Sequence, residues 1–378
     1  MWGDFVLKVL FFIPNLAHGG AEHVLVNLVN HMDYSKFDIT VQTMFDVGIY
    51  RDKLNKQVHY IGGFPWYFKG NTVVYKLFTP KQLYKIYIKE EYDIIVSYLE
   101  GPSARVVSGC MNSKIKLINW MHIELENKEY ATHAFRNMAE AEGCYRRFDR
   151  IVCVSKTVKK SFDNMFKVNM PVDVIYNTVE TEMIRKKAEE LIEDLEFSSE
   201  EIKIISVAKL MKSKGYDRLV KVQKKLREDG LKTHVYIVGK GEEQHHLERL
   251  IEENNIEDSW TFVGFKNNPY KYVKNADLYV CSSRKEGFST AVTEALIVGT
   301  PVVSTNCSGA IELLGVNNDY GIVTKNNEEA LYEGIKKMIS DKNIFDYYRK
   351  QAKVRGNRFS TDETVKAVEK MLEELIEA

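Results

Sequence analysis

Two apolar periods alternate along the chain. Short runs rich in Val, Ile, Phe and Tyr, bounded by Gly, Asn or Pro, give way to stretches with apolar residues three and four apart, and the cycle then restarts. The runs predict buried strands and the stretches predict amphipathic helices. Strands are expected at 5–14, 37–44, 58–61, 92–98, 116–122, 148–155 and 172–178. Residues 180–201 are charged, helical in pattern and poor in strand formers, and read as a linker and domain boundary. A second series follows, with strands expected at 202–208, 234–239, 260–265, 277–283 and 301–305, and helices from there to the end. Strands recurring with intervening helices imply α/β architecture and two doubly wound domains. The expected division is 1–180, 181–358 and a C-terminal helix at 359–378 free to pack back on the first domain. There is no repeat of 20–50 residues and no low-complexity tract.

A length of 378 residues also favours two domains. A formal net charge of +0 argues against non-specific nucleic-acid binding, so no nucleic-acid partner is expected. Five cysteines, Cys110, Cys144, Cys153, Cys281 and Cys307, are scattered without Cys-x-x-Cys spacing, which argues against a disulfide framework or a zinc site and points to a reducing cytoplasm. No apolar run reaches the roughly twenty residues of a spanning helix. The apolar start is short, carries Lys8 inside and lacks a small-x-small cleavage site, so it reads as a strand and not a signal peptide. Residues 64–89 interleave aromatics with lysines. Two readings stay open there: a segment at a lipid headgroup layer or acceptor groove, and an ordinary packed helix with a solvated Lys face. The expected location is cytoplasmic, with attachment to the inner face of the cell membrane left open.

The densest chemistry lies at 286–294, where Glu286 and Glu294 stand eight residues apart across a loop-to-helix junction. Ser289 or Thr290 can cap the helix, and Gly299-Thr300-Pro301 ends it. The preceding strand delivers this loop to a strand's carboxyl end, where open parallel sheets bind ligands. The first helical amides suit an anion such as phosphate, and a carboxylate suits vicinal hydroxyls. Phosphate and sugar together suggest a nucleotide-sugar. Upstream, Gly19 and Gly20 follow the first strand, Lys209 and Lys214-Gly215 occupy a loop after the strand at 202–208, and His122 ends the strand at 116–122.

In order, the chain shows Gly19-Gly20-Ala21-Glu22, Trp120-Met121-His122, Lys209 with Lys214-Gly215, Gly239-x-Gly241, Val263-Gly264-Phe265, Glu286 with Glu294, and Thr305 to Glu312. This set resembles the GT-B-fold glycosyltransferases of family four (glycosyl transferases group 1), the retaining, nucleotide-sugar-dependent group. The likeness runs nearly the whole chain and is strongest over 202–314. It implies two Rossmann-like domains facing across a cleft, the first binding acceptor and the second binding donor. By the resemblance, Glu294 holds the ribose and Glu286 the donor sugar, both as ionised acceptors. Lys209 and Lys214 neutralise the leaving diphosphate. The family more often has Arg at the first of these, and Lys lacks its planar fork. Phe288 shapes the pocket, Ser289 and Thr290 offer amides to phosphate or sugar, and Phe265 flanks the base. Gly19 and Gly20 bring amides onto the phosphates, and His122 contacts the transferred sugar. Catalysis is thus expected at His122, Glu286 and Lys214.

No Asp-x-Asp occurs in the chain, so a metal-diphosphate clamp is not indicated and neither a metal nor another cofactor is expected. The resemblance implies transfer of a hexose with retention from a nucleotide-sugar, a UDP-sugar in the first instance, to a glycan or polyprenyl-linked acceptor in bacterial surface polysaccharide synthesis. No convincing carboxylate nucleophile stands out, which favours a same-face reaction in which the departing phosphate takes the acceptor's proton. A nucleotide-sugar epimerase of the same architecture and a non-catalytic partner subunit are the rival readings.

Overall fold

The computed structural model describes residues 6–17, 19–67 and 70–377. Phe5 in the first expected strand, His18 beside the Gly-Gly turn, Phe68 and Lys69 of the aromatic stretch, and Ala378 lie outside the described residues. The chain divides into two units, Met1–Val179 with Thr361–Ala378, and Glu180–Ser360.

The first unit holds strands β1 (Leu7–Ile13), β2 (Phe37–Thr43), β3 (His59–Ile61), β4 (Ile94–Ser97), β5 (Lys116–Met121), β6 (Arg150–Cys153) and β7 (Val172–Val174). They form one sheet in the order β3-β2-β1-β4-β5-β6-β7. Every pairing is parallel, as in Val9 against Ile39 on one side and Ile94 on the other. β1 and β4 are buried along nearly their whole length, which is why both read as continuous apolar runs. The order reverses between β1 and β4, so their carboxyl ends open a crevice at the top of the sheet. The helix Thr361–Glu377 belongs to this unit. It buries Val365, Val368 and Leu372, and it is tied by Lys36 to Glu373 at 3.0 Å and by Thr361 Oγ1 donating to the Val179 carbonyl at 2.8 Å.

The second unit holds β8 (Ile202–Val207), β9 (Thr233–Val238), β10 (Trp260–Gly264), β11 (Leu278–Cys281), β12 (Val302–Thr305) and β13 (Ile322–Thr324). Their order is β10-β9-β8-β11-β12-β13, again parallel, with the reversal between β8 and β11. Its core gathers Ile204, Val235, Ile237, Leu278, Val280 and Val303 from the strands against Leu219, Leu226 and Ile335 from the helices.

Two expectations need correction. The chain does not run to its end in helices alone, because β13 adds a sixth strand of only three residues at the sheet edge. Nor is 180–201 a linker of continuous helix. Thr181–Ala188 is a helix that buries Ile184 and Ala188 within the second unit, and 189–201 is irregular. Asn268 Nδ2 and Lys271 Nζ bond the carbonyls of Lys187 and Leu191, which fastens the stretch to that unit. Among the described residues no helix is long and apolar enough to cross a membrane.

Candidate active site

The reversal between β8 and β11 places two loops side by side at the carboxyl end of the second sheet. One runs from Ala208 to Gly215 and the other from Ser282 to Ser289. They are joined tightly. Ser282 Oγ donates to the Lys214 carbonyl at 2.8 Å, and the Arg284 amide donates to the Ser213 carbonyl at 2.7 Å. Gly215 has φ +67, and a Cβ there would lie 2.2 Å from the Ser282 carbonyl oxygen, so this approach admits only glycine.

That junction brings Lys214 onto Glu286. Lys214 Nζ lies 2.8 Å from Glu286 Oε1, and Ser283 Oγ donates to the same oxygen at 2.6 Å. Both charged side chains are largely buried. Lys214 is held above the ordinary lysine range: burial works against its charge, but the neighbouring Glu286 carboxylate and the hydrogen bond to it outweigh that. Glu286 Oε2 receives no hydrogen bond among the described residues. Arg284 grips Asp217 through two contacts of 2.6 Å, and its Nη1 also donates to the Lys212 carbonyl at 2.9 Å, which holds the lysine loop in place.

The helix Thr290–Ile297 follows. Ser289 is its N-cap, its hydroxyl accepting from the Val292 amide at 3.4 Å. The amides of Thr290 and Ala291 have no partner within the helix, as at any helix start, and the helix dipole favours an anion there. Val292, Thr293, Ala295, Leu296 and Ile297 are buried, leaving Thr290 and Glu294, four residues apart, on the half-buried face. The Glu294 carboxyl makes no hydrogen bond or ion pair among the described residues, and burial pushes it up to about 8. The resemblance implies an ionised acceptor here; without a ligand, burial shifts the carboxyl toward its protonated form, because no partner among the described residues offsets it. Phe288 is buried against the loop that begins at β12's end, where Gly309 at φ +79 leaves room for its ring.

Two sequence candidates stand further out. Lys209 is solvated and pairs with Glu242 at 3.5 Å, a surface contact of little energetic weight. Phe265, after β10, is 48% exposed and so is not a core aromatic.

In the first unit, His122 follows β5. Its Nε2 is buried and makes no hydrogen bond among the described residues, its ring lies 4.8 Å from that of Tyr98, and burial pushes it down to about 3. The imidazole is therefore neutral at physiological pH. The His122 amide donates to Glu100 at 2.8 Å. Burial pushes the Glu100 carboxyl up to about 7, with the amides of His122, Glu100 and Ile123 pulling it partly back. Gly19 is the N-cap of the helix Gly20–His31. A Cβ on Gly19 would stand 1.8 Å from the Glu22 carboxylate, which folds back over the helix start.

Sequence reasoning missed Glu100, Ser283, Arg284 and the meeting of two cysteines read as scattered. Hydrogen bonding between Cys281 and Cys307 lowers the first thiol and raises the second. Glu100 alone had a usable signal, an acidic residue two positions beyond a buried strand.

The chain matches two family models, "Glycosyltransferase Family 4" over 18–183 and "Glycosyl transferases group 1" over 187–355. The N-acetylgalactosamine-N,N'-diacetylbacillosaminyl-diphospho-undecaprenol 4-alpha-N-acetylgalactosaminyltransferase of Campylobacter jejuni is 32% identical over 57% of this chain and 57% of its own length. An uncharacterized glycosyltransferase of Haemophilus influenzae is 25% identical over 89% of this chain and 92% of its own. HepE of Anabaena, solved in complex with UDP-glucose, superposes with a TM-score of 0.75 at 19% identity, covering 97% of this chain and 100% of that one. The fold is accordingly the GT-B fold expected from the sequence. With one model on each half of the chain and relatives of the same kind along its length, the chain belongs to the glycosyl transferases group 1 family of glycosyltransferases.

Proposed function

We propose that the protein is a retaining, metal-independent hexosyltransferase that uses a nucleotide-sugar donor, a UDP-sugar, and a glycan or polyprenyl-linked acceptor in surface polysaccharide synthesis. One observation carries the reading: the Lys214–Glu286 pair at 2.8 Å lies where the second sheet reverses its order, in the loop that leads into a helix whose first turn ends on Glu294, a carboxyl with no partner among the described residues. A cation, a helix N-terminus and two carboxyls in one loop cluster match the needs of a diphosphate flanked by two sugars. The UDP-glucose bound to HepE and the diphospho-undecaprenol in the name of the Campylobacter relative support the donor and acceptor classes.

In this reading Glu294 accepts from the ribose hydroxyls and Glu286 Oε2 from the sugar being transferred. Lys214, fully charged, stabilises the diphosphate as it takes up negative charge on departure, with Lys209 as a second, solvated cation. Phe288 walls the pocket, Ser289 and Thr290 present amides, and Phe265 stacks beside the base. His122, neutral, hydrogen-bonds the sugar, and Gly19 and Gly20 contact phosphate. The departing phosphate oxygen takes the acceptor's proton on the same face of the sugar. The reaction runs in the cytoplasm.

Incubation with UDP-, GDP- and ADP-sugars tests the donor, since a ligand of the folded state must raise the melting temperature. A UDP-sugar should raise it and, with acceptor present, release UDP at an unchanged rate in EDTA. No response to any nucleotide-sugar sinks the reading. UDP released without a glycosylated product points to hydrolysis, and a C-epimerised sugar without UDP points to the epimerase. An inverted anomer in the product overturns retention. Lys214→Ala should lower kcat by at least about 100-fold, the scale of one removed oxyanion donor.

A further inference from the structure

Residues just ahead of β4 in the first unit expose a cluster of large apolar side chains. Leu77 is 76% exposed, Val73 68%, Trp66 66% and Tyr67 60%, with Val74 and Phe78 exposed beside them. Tyr67 and Tyr75 both pack on Phe45, with ring centroids 5.2 and 6.4 Å away, which brings 66–67 beside the 73–78 turn; single exposed apolar residues are ordinary, but a group of this size marks an interaction site.

The group is held outward by buried structure. Arg105, itself 1% exposed, donates to the carbonyls of Tyr75 at 2.6 Å and Phe78 at 2.7 Å, and Arg136 donates to those of Lys76 at 2.6 Å and Leu77 at 3.1 Å. Glu140 accepts from Arg105 at 2.9 Å. Four successive carbonyls are thereby fixed, and the buried Tyr75 hydroxyl meets that of Tyr87 at 2.5 Å beneath them. The turn is pinned from below while Val73, Val74 and Leu77 face solvent. Thr79 then caps the helix Pro80–Tyr87, which buries Leu83 and Tyr87 and leaves Lys81, Lys85 and Ile86 exposed. No acidic residue occurs between 64 and 89, whereas Lys76, Lys81, Lys85 and Lys89 all do.

We propose that this face seats on an anionic lipid bilayer, with Trp66, Tyr67, Val73 and Leu77 at the headgroup boundary and Lys81, Lys85 and Lys89 on lipid phosphates. The excess of lysine over 64–89, with Glu90 and Glu91 following at its end, favours an anionic partner, and the aromatic and aliphatic mixture with a basic rim is what a headgroup layer accommodates. Of the two readings that the interleaved pattern leaves open, this proposal takes the lipid headgroup layer. The inference stands on this surface alone and extends the proposed function by placing the enzyme where a lipid-linked acceptor resides.

The test is sedimentation of the full chain with vesicles of phosphatidylglycerol and phosphatidylcholine, against phosphatidylcholine alone. Binding is expected only with the anionic lipid, weakening at least tenfold in Leu77→Ser with Trp66→Ser, and at least tenfold in Lys81→Glu with Lys85→Glu. Melting temperature and UDP release with a water-soluble acceptor should be unchanged in both. No vesicle binding, or binding undiminished in both variants, overturns the inference. So does a concentration-dependent dimer abolished by Leu77→Ser without vesicle binding, which makes the face a protein contact. Vesicle binding without UDP release leaves this inference standing and fails the donor assignment; UDP release without vesicle binding does the reverse.

Discussion

At Glu294 a half-buried carboxyl has gained no partner among the described residues, and burial pushes it up to about 8 where its ordinary value is 4.5. A carboxyl raised on folding favours the folded state fully below the ordinary value, and that contribution is lost as pH climbs through about 8. Each factor of ten in the ionisation constant is worth about 1.4 kcal/mol. Glu294→Gln keeps the shape and removes the titration. It should melt with the native protein near pH 4.5 and several degrees above it at pH 8.5, while donor affinity falls at least about tenfold because a neutral amide offers one acceptor oxygen in place of the carboxylate's two and puts a donor where the second stood. Equal melting at both pH values would mean that the carboxyl is already satisfied. Donor binding at pH 7 should also release a proton, visible by calorimetry in buffers of different ionisation enthalpy, since hydroxyl donors favour the ionised form.

The loop pair is where elements matter more than single residues. Gly215 lets the turn after β8 touch the loop after β11, and this contact delivers Lys214 to Glu286. Gly215→Ala should part the loops, cost about 1–3 kcal/mol in stability, and lower kcat as much as Lys214→Ala does, read by denaturant melts and UDP release. A stable variant with native kcat would show that the lysine finds the carboxylate without that approach. The twelve strands anticipated from sequence all form; β1, β4, β11 and β12 are buried runs of mainly β-branched and aromatic residues whose signal survives without context, while β3 and β7 form as half-buried edge strands. β13 escaped because Ile322-Val323-Thr324 sits between Tyr320-Gly321 and the polar stretch Lys325-Asn326-Asn327 with no longer apolar run around it, and the Thr181–Ala188 helix passed for linker because its charges hide the buried pair Ile184 and Ala188. Glu286, Glu294 and Lys214 were legible as types in order. Their pairing was not, because residues 214 and 286 meet only through strand order in the folded sheet. Nor was the fold-back of Glu22 over Gly19, which depends on one rotamer.

Over the whole molecule the chain leaves the first unit after Val179 and re-enters it at Thr361. The returning helix is fastened by side chains far apart in sequence: the Asp33 amide donates to Glu369 at 2.6 Å, and Lys36 pairs with Glu373 at 3.0 Å. Removing 361–378 should uncover apolar surface on the first unit and lower its cooperative melting, while nucleotide-dependent stabilisation of the second unit persists. An unaltered melt would show that the helix is dispensable. On the ribosome, this routing inverts the usual order in which N-terminal domains mature first. The second unit has its entire sequence once Ser360 is added, whereas the first still waits for residues 361–378. A chain ending at residue 360 and tethered to the ribosome by a linker long enough to clear the exit tunnel should therefore already bind nucleotide-sugar while its older half still recruits chaperones.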